Sequence, residues 1–345
     1  MNKKGVTLIE LLVVAAILSV VLAITFKSYL SILKSQTQQA DIASGNLNTN
    51  MSLEIIRKDI EMAGFGLPRI ISGSCSEAVT DTTYVPDPST LNTNCNPLSP
   101  FSLSNNTGPN QSDVLAVRSS VAALNSATEH WGYVSSSGYK EIGKSGNTNN
   151  IIFNVVNPVN MEPISDPCKL SDIGTVGGNV YLVFGLGENS VNMPFNRVDY
   201  FLHRPSDGMP SRCSPNTYEL YRATINQSDG KRNLQPILDC VEDFQVVFGL
   251  DTNDNGTIDT WSSFLPSDLY DLYKQLKQIR VFVIYQEGKK DPKFSFSGYI
   301  SIGDNATTGV IKKFTPTGDD VHYRWRRAEL IVYPVNIIPR ERNLQ

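Results

Sequence analysis

The apolar and polar positions divide the chain into a rod and a body. An apolar run extends from Leu11 to Phe26, broken upstream by Glu10 and closed downstream by Lys27. Helical spacing continues past it. Leu53, Ile56, Ile60 and Ala63 recur on one face of an amphipathic helix, while Glu54 and Lys58 stand at i, i+4 on the outer side. Gly64, Gly66 and Pro68 supply the stop, and no proline precedes Pro68. Residues 8–63 as one helix span roughly 84 Å at the usual rise, longer than an ordinary globular helix.

Beyond the rod the period changes to that of strands. Residues 69–112 are polar, rich in Ser, Asn, Thr and Pro, and read as a long loop with a short strand near Ile70-Ile71. Strands are predicted at Asp113–Val117, Ile151–Val156, Asn179–Phe184, Arg197–Leu202, Tyr218–Ala223, Phe244–Leu250, Ile279–Tyr285, Lys293–Ile302 and His322–Tyr333. Residues 120–149 read as polar connection. Asp268–Gln278 has helical spacing, with Ser267 as its cap. A long helix followed by mostly antiparallel strands gives an α+β fold, with Leu53, Ile56 and Ile60 covering one side of the sheet.

Lys3 and Lys4 ahead of an apolar run are compatible with a secretory signal, but no small-residue cleavage site with a polar break follows. The run is about long enough to enter a bilayer, and the two lysines place the N-terminus on the cytoplasmic side. Glu10 is then the costly residue, since a carboxylate in an apolar helix needs a partner. The alternative for Glu10 is a side chain that snorkels to the membrane surface.

The tract Lys4-Gly5-Val6-Thr7-Leu8-Ile9-Glu10 resembles the processing site of type IV pilins and type II secretion pseudopilins. The resemblance implies cleavage between Gly5 and Val6 by a prepilin peptidase, N-methylation of Val6 supported by Glu10, and pairing of Glu10 with the N-terminal ammonium of a neighbouring subunit. Val6 departs from the usual phenylalanine, as it does in minor pilins. Three further tracts are similar to PilW-type minor pilins: Leu53 to Gly66, Cys240 to Asp251, and Arg324 to Leu330. The implied organisation is a leader at 1–5, a transmembrane and filament-core helix at 6–30, its amphipathic continuation at 31–66, and a β-rich exported domain at 67–345. Implied partners are other minor and major pilins, the prepilin peptidase, an inner-membrane assembly platform and a pilus-tip adhesin. The domain would face the periplasm before assembly and the cell surface after it.

The chain has 345 residues and a formal net charge of −4, which loss of Lys3 and Lys4 takes to −6. No basic stripe suggests nucleic acid. The five cysteines include no CxxC pair, so zinc and thioredoxin-like chemistry are poor readings. An exported domain favours disulfides. Cys75 and Cys95 flank one polar loop, Cys213 with Cys240 is a second pairing, and Cys168 is left over; free thiols are the alternative. His130, His203 and His322 fit no metal or catalytic spacing, and no nucleophile elbow or phosphate loop is present. An enzyme is not expected.

One tract carries candidate metal chemistry. Asp251, Asn253, Asn255, Thr257 and Asp259 alternate oxygen donors around Gly256, as in the first nine positions of a calcium loop. Position twelve is Ser262, so the bidentate glutamate is missing. A bare Asn-Gly turn with solvated carboxylates is the competing reading. Arg324, Arg326 and Arg327 around Trp325 read as a solvated strand edge, or a contact for an acidic partner. Two functions from different classes follow. One is a minor pilin that assembles through its helix at a priming or tip complex, with a type II secretion pseudopilin as its near alternative. The other is a membrane-anchored, calcium-dependent adhesin.

Overall fold

The computed structural model describes residues 7–68, 77, 91, 98–122, 125–159, 163–174, 176–188, 196–227, 229–304 and 307–337. Gly5, Val6, Ile70, Ile71, Cys75 and Cys95 lie outside the described residues. Helix α1 runs unbroken over Leu8–Glu61, 54 residues or about 81 Å. Thr7 caps it. Met62 closes its other end, with its amide donating to Ile60 and Lys58 carbonyls. Gly64 and Gly66 then adopt positive φ (78° and 69°), which turns the chain away.

The strands are β1 Phe101–Ser104, β2 Val114–Arg118, β3 Trp131–Ser135, β4 Gly138–Glu141, β5 Ile151–Val156, β6 Tyr181–Glu188, β7 Arg197–His203 and β8 Tyr218–Ile225. They continue with β9 Arg232–Leu250, β10 Thr260–Ser262, β11 Leu276–Glu287, β12 Ile300–Asp304, β13 Gly309–Phe314 and β14 Arg324–Val332. A short helix α2, Leu269–Gln275, precedes β11. Among the described residues the main sheet has the order β1-β2-β7-β8-β9-β11-β14, with β10 paired to β9. Its neighbours pair antiparallel. A second sheet, β4-β3-β6-β5, is inserted between β2 and β7, and β12 with β13 forms a separate hairpin.

Alternation along β11 sorts its side chains between two cores. Ile279, Val281 and Val283 join Ile56, Ile60 and Ala63 of the rod. Phe282 and Ile284 face the other way, where Ile302 and Trp325 complete a core beneath the β12–β13 hairpin. The rod therefore covers one face of the sheet with the predicted residues; Ile56 and Ile60 are buried and Leu53 packs at the margin. Full burial of such side chains is worth about 1.5–3 kcal/mol each.

The inserted sheet seats on the end of the rod. Phe65 meets Phe184 edge-on at 5.0 Å between centroids. Asn154 Nδ2 donates to the Gly66 carbonyl at 3.1 Å. A Cβ on Gly66 would lie 2.5 Å from Ser120 Oγ, so glycine is required by space as well as by φ. Gly185, inside β6, is similarly forced: a Cβ there would lie 1.9 Å from the Ala127 carbonyl oxygen.

Several elements depart from the sequence pattern. The stretch 120–149 contains the β3–β4 hairpin, whose Gly138 takes φ 99° in the turn. β9 begins at Arg232, well before Phe244, because its first half pairs with β8 and its second with β11. The segment before Ile300 is loop, and Gly318–His322 is a 3-10 turn ahead of β14. The α2 cap is Asp268, not Ser267: its carboxylate accepts from the Tyr270 and Asp271 amides. Glu54 pairs with Arg57 at 2.9 Å.

Candidate functional site: the rod and its two environments

The first half of α1 is largely uncovered: Leu8 to Phe26 are exposed at every apolar position. This is the one described helix long and apolar enough to cross a membrane, and none of its apolar window is buried. The fold leaves an apolar cylinder without protein cover, which water penalises and a bilayer or a bundle of like helices accepts.

Glu10 begins this cylinder inside a capping box. The Thr7 amide donates to Glu10 Oε2 at 2.9 Å, and Thr7 Oγ1 donates to the same oxygen at 3.0 Å. In return the Glu10 amide donates to Thr7 Oγ1 at 3.3 Å. All of these bonds to the carboxylate use Oε2, so Oε1 points a formal half-charge elsewhere.

The second half of α1 is held by polar bonds as well as by apolar packing. Asp59, at a helical position within the apolar stripe, is buried against the sheet. Tyr200 Oη donates to Asp59 Oδ2 at 2.5 Å, and Arg222 Nε donates to the same oxygen at 2.7 Å. Burial, and then the Asp59 charge, push the Tyr200 phenol well above its ordinary pKa. Burial works against the Arg222 cation, but its bond to Asp59 outweighs this and raises its pKa. Higher up, Asn336 Nδ2 donates to the Glu61 carbonyl at 3.2 Å; lower down, Ser52 Oγ donates to the Ile237 carbonyl.

On the opposite face an ion network is fully enclosed. Arg118 forks onto Glu77 at 2.5 and 2.6 Å, Arg197 reaches Glu77 at 3.0 Å, and Arg197 and Arg232 share Asp199. Burial raises the Asp199 pKa, yet Arg197 and Arg232 more than reverse it and hold it low. With Leu91 in a neighbouring core, Glu77 anchors residues from the polar stretch to the sheet.

The remaining candidates stay apart. Cys213 and Cys240 form a disulfide, with Cα atoms 5.0 Å apart, and Cys168 is a free thiol. The Cys213–Cys240 bond ties the loop after β7 to a bulge in β9, where Cys240 has φ 54°. Among the described residues the only cluster with metal-like spacing is Cys213, Asp239 and Cys240, and its two sulfurs are spent on that bond. His130 Nδ1 lies 2.5 Å from Glu141 Oε1, and His322 Nδ1 contacts the Phe294 carbonyl at 2.7 Å. Burial lowers the His203 pKa. Arg324 pairs with Asp291, Arg326 with Glu287, and Arg327 with Glu329, so the basic cluster is matched internally.

The Asp251–Asp259 tract is a compact turn between β9 and β10. Asp251 accepts from the Asn255 and Gly256 amides at 3.0 and 2.9 Å, and Lys277 Nζ lies 3.4 Å from it. Asp259 accepts from the Thr252 and Asn253 amides. Asn255 Oδ1 accepts from the Thr257 amide at 2.8 Å. Backbone amides and one lysine thus occupy oxygens that a cation would use.

Residues 199–333 match the family described as type IV pilus-assembly protein W, and residues 1–26 match the prokaryotic N-terminal methylation motif. Together these matches support a type IV minor pilin of the PilW type. No curated protein and no solved structure gives a significant match. The matched region spans β7 to β14, the part of the sheet that carries the rod, while the inserted four-stranded sheet lies outside the matched residues. Domains of this family are structural rather than catalytic. The apolar helix and the methylation motif make the protein membrane-anchored and pilus-associated.

Proposed function

We propose that the chain is cleaved after Gly5 and methylated at Val6. It is then held in the inner membrane by residues 6–30, with the N-terminus cytoplasmic and the domain in the periplasm. From there it enters a priming or tip complex with other minor pilins, handed over by the assembly platform, and primes growth of the pilus of major pilins beneath a tip adhesin. Assembly moves the exposed half of α1 from lipid into a bundle of like helices. Glu10 supplies register: its Oε1 receives the Val6 ammonium of the neighbouring subunit while Oε2 keeps the capping box closed. The observation that carries this reading is the division of one continuous helix into an uncovered apolar half and a half locked to the sheet.

The test is Glu10→Ala in the full chain, followed by mass measurement of the N-terminus and recovery of the subunit in sheared pili. Processing after Gly5 with loss of the subunit from pili is expected. Normal piliation and normal recovery would overturn the pairing role.

A further inference from the structure

The loop after β11 runs down the rod toward the membrane segment. A Cβ on Gly288 would lie 3.5 Å from Ile42 Cγ1. Lys289 Nζ lies 3.3 Å from Asp41 Oδ2. Asp291 accepts from the Gln38 side chain and feels the Lys34 charge. From Gly288 to Asp291 the loop thus descends about one turn of the helix, from Ile42 to Gln38, until it turns back at Lys293, where the Phe294 amide bonds to the Asp291 carbonyl.

Helix geometry fixes how high this floor stands. If Leu8 enters the hydrocarbon, about 30 Å of helix ends at Lys27, and the headgroup layer adds about 5–7 Å, reaching about residue 31. Lys34 lies about 5 Å above that level. Lys34 is thus inside the Debye length of about 8–10 Å; Gln38, the level that Asp291 meets, stands about 10 Å up and Asp41, beside Lys289, about 15 Å, so the floor of the loop lies at the edge of that range and its long lysine side chains reach down into it.

The sign of those charges is opposite to the protein's. The whole chain is net negative. Around the loop floor stand Lys27 and Lys34 on the rod, Lys289, Lys290 and Lys293 on the loop, and Arg324 on β14. The acids beside them are Asp41, Asp291 and Asp319, each paired with one of these cations, Glu287, which pairs with Arg326, and the buried Asp320. Two positive charges remain in excess, at the end of the domain nearest the membrane.

We propose that residues 288–293, with Lys27 and Lys34, form a basic collar that rests on anionic phospholipid headgroups of the leaflet on the domain side. The proposal rests on the reading of α1 as membrane-spanning. The collar sets how the rod stands before assembly, and it is released when the subunit leaves the bilayer.

Hydrogen exchange of the full chain in nanodiscs tests it. Discs of phosphatidylcholine are compared with discs containing about 30 mol % phosphatidylglycerol. Exchange across 288–299 should be at least about threefold slower in the anionic discs, and about 0.5 M salt should remove the difference. The triple variant Lys289→Gln, Lys290→Gln, Lys293→Gln should show no lipid dependence, while residues 136–146 on the inserted sheet behave alike in both discs. Equal exchange across 288–299 in both discs, with the chain incorporated, overturns the collar and leaves the membrane span standing. Protection that arises only in assembled filaments also overturns it, and assigns the basic loop to an acidic neighbour. A chain that does not stay with the discs overturns the span and the collar together.

Discussion

Arg222 of β8 reaches across the core to Asp59 of the rod, 2.7 Å from Nε to Oδ2, and both side chains are largely withdrawn from water. A cation and an anion separated by 163 residues in sequence thus fix how the rod lies on the sheet. Removing one partner leaves the other charge buried and unpaired, which costs more than the intact pair contributes.

Asp59→Ala should therefore lower stability by roughly 3 kcal/mol, measured by denaturant unfolding of the full chain. Asp59→Ala combined with Arg222→Met should cost less than the two single changes added together, because the stranded charge is gone. Additive losses would show that the pair is not coupled.

Glu242 should give the domain a pH-dependent stability of unusual sign. Burial, and then the Asp243 and Asp320 carboxylates, raise its pKa from 4.5 to about 8. Between those values the folded state holds a proton that the unfolded chain has released, so stability falls as pH rises through that window. Asp113, raised to about 6 by burial, adds to the fall at the lower end. Glu242→Gln should flatten the slope and be more stable than the parent above pH 8, by roughly 2 kcal/mol. Parallel melting-temperature profiles for variant and parent from pH 5 to about 9 would contradict this.

The Cys213–Cys240 bond closes a loop of sequence separation 27. Replacing both cysteines by alanine should cost about 3–4 kcal/mol, and the reduced parent should unfold at the same denaturant concentration as the double variant. Exchange protection should fall first around residues 204–217, which the disulfide holds against β9.

Calcium at Asp251–Asp259 remains a proposal on the strength of its oxygen donors, and the structure sharpens its test. Lys277 stands where the cation's charge would sit. Calcium should raise the melting temperature of the parent, and raise it further in Lys277→Met. It should leave the temperature of Asp251→Ala with Asp259→Ala unchanged relative to chelator. Identical temperatures with calcium and with chelator, in the parent and in Lys277→Met, would leave the tract a turn closed by its own amides.

The rod, its packing face and the strong strands were legible because they depend on local periodicity. Ile56 and Ile60 bury where helical spacing puts them, and Ile151–Val156 forms the strand its β-branched run foretells. Elements whose reason lies elsewhere were not legible. Trp131–Ser135 and Gly138–Glu141 are short and set among polar residues, and they become strands by pairing with each other and, for the first, with β6. The first half of β9 contains Pro236 and reads as loop until β8 lies beside it. For the site, Glu10 announced itself as a charge in an apolar helix. Asp59 carried the same signal, an acid inside the stripe that includes Ile56 and Ile60, but its partners Tyr200 and Arg222 are distant in sequence. The enclosure of Glu77 by Arg118 and Arg197 had no local signature.

The rod is also a load-carrying element. Between the floor of the domain and the start of the apolar segment, α1 has no proline and no break in its hydrogen-bond ladder. Tension applied to the domain therefore runs along the helix axis without a slack element to absorb it. The Asp59–Arg222 lock and the apolar grip at Ile56 and Ile60 form the shackle at the upper end of this tow-bar. Whatever withdraws the subunit from lipid pulls directly on Glu10.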